Sequence, residues 1–125
     1  MYLYDAAKPL LFSLPPETAH TVVSRGLEAV QGTPAESLLR DRYVVDDDRL
    51  ATEAFDLRFP NPVGVAAGFD KNARLPNALA ALGFGHVEVG GVTAEAQAGN
   101  PRPRMFRLRP DRALINRMGF NNEGA

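Results

Sequence analysis

The sequence predicts an α/β protein in which an apolar helical hairpin precedes a strand–helix–strand unit. Two observations lead there. Residues 1 to about 32 carry apolar side chains at helical spacing, whereas from residue 52 onward short alternating or wholly apolar runs take over. Nine of the 11 glycines also lie after position 60, where a chain of helices alone would not place them.

In the first stretch Leu3, Ala7, Leu10, Leu11 and Leu14 form one helical stripe. Pro15-Pro16-Glu17 ends that helix and starts another, with proline in the first turn and an acid near the positive helix end. Ala19, Val22, Val23, Gly26, Leu27 and Val30 keep the helical rhythm until Gly32 and Pro34 stop it. Residues 1–33 thus form one segment. Residues 34–50 form a connector: a short helix over Ala35–Arg42, then the charged run Asp46-Asp47-Asp48-Arg49. Residues 51–125 hold the rest. Phe55, Leu57 and Phe59 alternate as a hairpin strand, and Val63–Ala67 is a compact buried strand. Leu75, Ala78, Leu79 and Leu82 mark a helix closed by Gly83, and His86–Gly90 is a second strand. Short connections between them make a βαβ unit, hence a parallel sheet or barrel. Residues 104–108 and 113–115 alternate like a further hairpin, and Asn121–Ala125 reads as the start of a helix.

Composition excludes several kinds of chemistry. A net charge of −1 gives no electrostatic case for nucleic acid. Without cysteine there is no disulfide, thiolate nucleophile or Cys-ligated metal, and His20 and His86 are too few and too far apart to suggest a metal site. No apolar run reaches the roughly 18 residues that a membrane-spanning helix needs, and the N-terminus lacks a signal peptide's charge and cleavage pattern, so a cytoplasmic setting is expected.

Three segments carry possible chemistry. Ala66-Ala67-Gly68-Phe69-Asp70-Lys71 follows a strand, where parallel α/β architectures hold their ligands. Small residues there let the backbone approach a flat ring, and Lys71 adds a cation; an ordinary loop with a solvated lysine fits the residues equally. Asn116-Arg117-Met118-Gly119-Phe120-Asn121-Asn122 gathers amides suited to a heterocycle of alternating C=O and N–H groups, or to helix capping. Gly90-Gly91-Val92-Thr93 again permits close backbone approach, but with Gly83 and Gly85 it does not make the dinucleotide-binding glycine pattern. Arg102 and Arg104 read as solvated or structural, and Glu88, in a buried-looking strand, requires a partner.

Together, AAGFDKN, GFGHVEVGGVT, GNPRPRMFRL and LINRMGFNN resemble, in order and spacing, the class 2 dihydroorotate dehydrogenases, and the resemblance runs over essentially all 125 residues. It implies the N-terminal part of a (β/α)8 barrel with FMN at its carboxyl-terminal mouth. It implies oxidation of dihydroorotate to orotate in pyrimidine biosynthesis, with a membrane quinone as electron acceptor. By the same resemblance Ala67, Gly68, Phe69, Asp70 and Lys71 contact FMN, and Lys71 also reaches the substrate as an electrostatic stabiliser. Asn116, Arg117, Met118, Gly119 and Phe120 bind dihydroorotate or orotate. Gly91 stands where the family usually has Thr or Ser, so only a backbone contact to FMN carries over. The general base of this class is a serine on a later loop; Ser13, Ser24 and Ser37 all lie in the front helices, so the base is expected beyond Ala125.

The resemblance further implies that the front helices lie on the membrane and form a quinone tunnel, with His20 and Arg107 beside the quinone head group. Tyr2, Tyr4 and Phe12 suit interfacial insertion, and few cations are present, so association at the cytoplasmic face of the cell membrane is expected to be peripheral and mainly hydrophobic. Two other readings are open: a soluble relative using fumarate or NAD, which lacks the front helices, and a non-catalytic membrane-tethering module if 125 residues is a natural length.

Overall fold

The computed structural model describes residues 3–125, with the side chain of Leu3 outside that description; Tyr2 also lies outside the described residues. Helix α1 (Leu3–Ser13) and helix α2 (Pro16–Val30) are separated at Leu14 and Pro15. Helix α3 (Pro34–Tyr43) and helix α4 (Pro76–Ala81) follow, and α2, α3 and α4 each begin with proline in the first turn. There the missing N–H costs nothing and the fixed φ already suits a helix.

Helix ends leave carbonyls and N–H groups without partners, and here distant side chains supply them. Helix α1 has no basic residue in its last turn. Arg107 instead donates to Leu14 O (2.6 Å) and Leu11 O (3.1 Å), and Arg109 to Phe12 O (2.8 Å). The two cations thus sit at the negative end of the helix, where they also favour its dipole. At the start of α4, Gln31 Oε1 accepts from Ala78 N (3.1 Å) while Gln31 Nε2 donates to Arg74 O (2.7 Å), which ties the end of α2 to the helix that forms the core.

Among the described residues the strands make three separate two-stranded pairs. β1 (Thr52–Ala54) and β2 (Leu57–Phe59) are antiparallel around a two-residue turn, Phe55 (φ 55°) and Asp56 (φ 59°). Both turn residues have positive φ, as a primed hairpin turn demands, so Phe55 is the 93% exposed tip and not the strand residue that alternation suggested. β3 (Gly64–Val65) pairs in parallel with β4 (His86–Val87), and α4 connects them: the expected βαβ unit. Both strands are shorter than the apolar runs predicted, because the ladder extends only as far as the partner strand faces it. β5 (Met105–Leu108) and β6 (Ala113–Asn116) form the last hairpin, in register from Met105–Asn116 to Leu108–Ala113.

The buried hydrophobic residues are few: Ala19 on α2 and Leu75, Ala78, Leu79 and Ala81 on or beside α4. Large apolar residues on strands and loops, among them Val63, Leu114, Ile115 and Phe120, remain exposed. Two further expectations fail. Glu88 is exposed, so water solvates its charge and no partner is required. Residues 121–125 form no helix, because Asn122 bridges to Gln97 in both directions (2.9 and 3.1 Å) and spends the N–H and carbonyl that a helix would use.

The entry to β4 passes tightly beneath the residues before β3: Gly85 N donates to Val63 O (2.8 Å), and a Cβ on Gly85 would stand 2.1 Å from Asn61 O. Backbone cannot step aside as a side-chain tip can. Gly85→Ala is therefore expected to destabilise the protein by about 1–3 kcal/mol, read as a lowered midpoint in chemical denaturation.

Candidate functional site

The loop after β3 is shaped by Asp70. Its carboxylate is 3% exposed and turned inward, accepting from Arg74 N (2.9 Å) and Leu75 N (2.8 Å). It anchors the approach to α4 and offers no free oxygen towards the loop's outer side. Gly68, at φ 102°, lets the chain reverse where other residues are strained. An added Cβ there would lie 3.5 Å from Lys71 Nζ, so the ammonium folds back over Gly68. Lys71 is half-buried and has no hydrogen-bond or ion-pair partner among the described residues. Ala66 and Ala67 are exposed beside it, leaving an open surface of small side chains.

The amide segment is held from behind. Arg117 N donates to Arg104 O (2.8 Å), Asn100 N to Met118 O (3.0 Å) and Asn100 Nδ2 to Arg117 O (2.8 Å). Gly119 (φ 74°) passes so close that a Cβ would meet Asn100 N at 2.8 Å. The Arg117 guanidinium turns to Pro103 O (3.0 and 3.3 Å), away from the amides. Phe120 is 71% exposed and packs near Gly91, whose Cβ would lie 3.7 Å from its ring. Asn122, 7% exposed, ties the segment to the turn after β4: its Oδ1 accepts from Thr93 N (3.1 Å) and Gly124 N (2.9 Å).

Lys71, Asn116 and Met118 line one cavity of about 230 Å³ together with His20 and Asn121. Asn121 Oδ1 is buried without a hydrogen-bond partner among the described residues, an acceptor left open in that space. The structure therefore brings together the lysine, two residues of the amide segment and the helix α2 histidine. It leaves Arg117, Gly119, Phe120 and Gly91 off this cavity. His20 Nε2 lies 2.9 Å from Phe69 O, and its ring meets Phe69 edge-on at 5.0 Å, so the histidine fastens α2 to the loop after β3. Arg107 is placed elsewhere, stacked 4.8 Å from the Phe12 ring and facing a groove with Pro15 and Met105.

Two residues matter more than their sequence context showed. Arg104 is 6% exposed; its Nη2 and Nε donate to Glu17 (2.7 and 3.1 Å), and its Nη1 to Ala98 O (2.7 Å) and Asn100 O (3.0 Å). The structural alternative for Arg104 holds, whereas Arg102 is 72% exposed and meets Glu17 at 3.1 Å from the rim. An acid in a helix first turn reads as dipole compensation, and only the fold reveals its partner.

The side-chain hydrogen bond from Arg104 holds the Glu17 carboxyl below the ordinary glutamate range, against the opposing effect of burial and with Arg102 adding to the pull. A depressed folded-state pKa means stability that is present above the unfolded value, about 4.3, and lost as pH falls through the folded value. Replacing Glu17 by Gln is expected to flatten the acid limb of the stability–pH curve below about pH 4.3, measured by thermal unfolding across a pH series.

Comparison with known proteins bears on this geometry. A family model described as dihydroorotate dehydrogenase matches residues 49–125. The chain is 68% identical over its full length to a "dihydroorotate dehydrogenase (quinone)" of Natronomonas pharaonis, and covers 36% of that protein. It is 67% identical over 98% of its length to the protein of the same name from Haloarcula marismortui, covering 35% of it. Among solved structures, dihydroorotate dehydrogenase of Eimeria tenella in complex with ferulenol aligns with a TM-score of 0.72 at 43% identity, over 92% of this chain and 30% of that one. The chain thus spans about a third of the length of the curated relatives it matches. It belongs to the dihydroorotate dehydrogenase family.

Proposed function

We propose that the protein to which this chain contributes oxidises dihydroorotate to orotate, with FMN as its flavin and a membrane quinone as electron acceptor, in pyrimidine biosynthesis. The observation that carries this reading is the unpaired Lys71 ammonium at the end of β3, lining one cavity with Asn116 and the open Asn121 acceptor. The family and the names of the relatives point the same way.

The residues present fit a flavin. A flat ring needs close backbone approach, which Ala66, Ala67 and Gly68 allow, and a fixed cation, which Lys71 provides. Gly91 contributes backbone only, and Asp70 acts by shaping the loop. When bound, FMN supplies the hydride acceptor. Lys71 stabilises negative charge gathering on the substrate carbonyls, a term strengthened by its half-buried setting. The Asn116 amide offers a donor and an acceptor to the alternating C=O and N–H groups of the pyrimidine ring, and Met118 forms an apolar wall beside it. Arg117, Gly119 and Phe120 serve that placement by holding the segment's shape. Ser13, Ser24 and Ser37 stand on α1, α2 and α3, outside the cavity shared by Lys71 and Asn116, so the serine base is assigned to later barrel loops outside these residues.

The barrel reading rests on the parallel β3–β4 pair joined by α4, and the exposed Val63, Leu114 and Ile115 are surfaces that further barrel elements would cover. Membrane association at the cytoplasmic face draws support from exposed Tyr4 and Leu10 on α1 and Val22 on α2. Among the described residues no helix is long and apolar enough to cross a membrane, so the attachment proposed is peripheral. A quinone head group is proposed to enter beside the front helices; His20 and Arg107 both contact segments next to them but line separate grooves, so the proposal rests on the groove of Arg107 and Phe12.

In an enzyme of full family length, dihydroorotate is expected to drive reduction of a quinone analogue; activity with fumarate or NAD in its place would overturn the acceptor. Lys71→Met should slow flavin reduction by dihydroorotate by about 100-fold, followed by stopped-flow absorbance. Removal of residues 1–32 should abolish quinone reduction while flavin reduction survives in part. The 125-residue chain alone is expected to purify without flavin absorbance, since a barrel of this type needs about 250 residues.

A further inference from the structure

Helix α2 presents Glu17, His20, Thr21 and Ser24 at i, i+3, i+4 and i+7, one face that looks into the space lined by Lys71 and Asn121. Two contacts leave that face for two different loops. His20 Nε2 meets Phe69 O at 2.9 Å in the loop proposed to hold the flavin. Glu17 meets Arg104, and Arg104 leads to the amide segment.

The Arg104 connection is built from every part of the residue. One edge of the guanidinium takes the Glu17 carboxylate, and the remaining Nη1 takes two carbonyls, Ala98 O and Asn100 O. The Arg104 carbonyl accepts from Arg117 N at 2.8 Å, and Asn100, fixed by the same guanidinium, clamps Met118 and Arg117. A Cβ on Gly99 would lie 2.2 Å from Met118 O and 2.8 Å from Arg104 Nη1, so the three strands of chain meet with no slack. Arg104 is buried and Glu17 half-buried, which lessens the screening that weakens surface ion pairs, and loss of Glu17 leaves a buried guanidinium short of its counter-charge.

We propose that Arg104 is a positioning residue which, through Glu17, couples the placement of the front helices to the shape of the substrate-binding amide segment. This rests on the functional reading above, in which Asn116–Phe120 bind the pyrimidine. Substrate affinity then depends on how Glu17 and Arg104 hold the amide segment, and a disturbance of the front helices is felt at Asn116. Lysine at position 104 does not reproduce the device, because one ammonium lacks the planar fork that engages a carboxylate and two carbonyls at once.

The test uses the full-length FMN-loaded enzyme and its Glu17→Ala, Glu17→Gln and Arg104→Lys variants. Two readouts that involve no quinone are measured: orotate binding through the flavin spectrum, and flavin reduction by dihydroorotate under anaerobic conditions. Glu17→Ala and Arg104→Lys are expected to weaken orotate binding by about fivefold or more, the lower edge of coupling usual between distinct sites. The near-isosteric Glu17→Gln, which keeps an acceptor and gives a folded variant should the others fail to fold, is expected to show a smaller loss in the same direction. Unchanged orotate affinity and flavin reduction in folded variants, with only quinone reduction or thermal stability lowered, would overturn the coupling. Failure of the unaltered enzyme to bind orotate would instead overturn the functional reading on which the coupling depends.

Discussion

One buried guanidinium ties the front helices to two later segments of this chain. Arg104 is buried between the first turn of α2 and the segments at 98–100 and 116–119, and all three of its nitrogens are used. Buried charge is tolerable only where hydrogen bonds and an opposite charge replace the lost water, and Glu17 with two carbonyls does that. The constraint runs outward from there. Gly99 and Gly119 have to be glycine because the chains approach too closely for a Cβ, and Asn100 has to bridge them.

The same logic recurs at the helix ends. With few buried large side chains, the described residues rely on polar side chains from elsewhere in the chain to complete the end of α1 and both ends of α4. Arg107 and Arg109 close α1, Gln31 and Asp70 open α4, and Asn61 holds Gly83 O just past the end of α4 at 3.0 Å. Apart from the local Asp70 bond, each spans 22 residues or more, so a helix end and a distant loop are fixed together. This is how a βαβ unit with a modest core keeps its loops in place.

Against that background of satisfied groups, Lys71, Asn121 Oδ1 and, on helix α2, Ser24 Oγ are left open around the loop after β3 and the amide segment. An ammonium that folding brings to a half-buried position without a partner favours a negatively charged or polarisable guest. That contrast, more than the presence of a lysine at a strand end, is what supports the proposal that this is a binding loop.

Periodicity alone determined the front helices, their break at Pro15-Pro16, the strand–helix–strand unit and the hairpin over 104–116, because these depend on local spacing and on proline and glycine chemistry. Four ordered motifs determined the family. Spacing did not show that Phe55 sits at a turn, that Glu88 faces water or that residues 121–125 pair with Gln97, since each outcome depends on which distant strand lies alongside. Nor did it distinguish Arg102, exposed at the rim, from Arg104, buried and bonded on every side, two residues later in the same motif. Residue type sets what a side chain is able to bond. Only tertiary structure, by bringing Glu17 within 2.7 Å of Arg104 across 87 positions, decided which of the two arginines is buried against it.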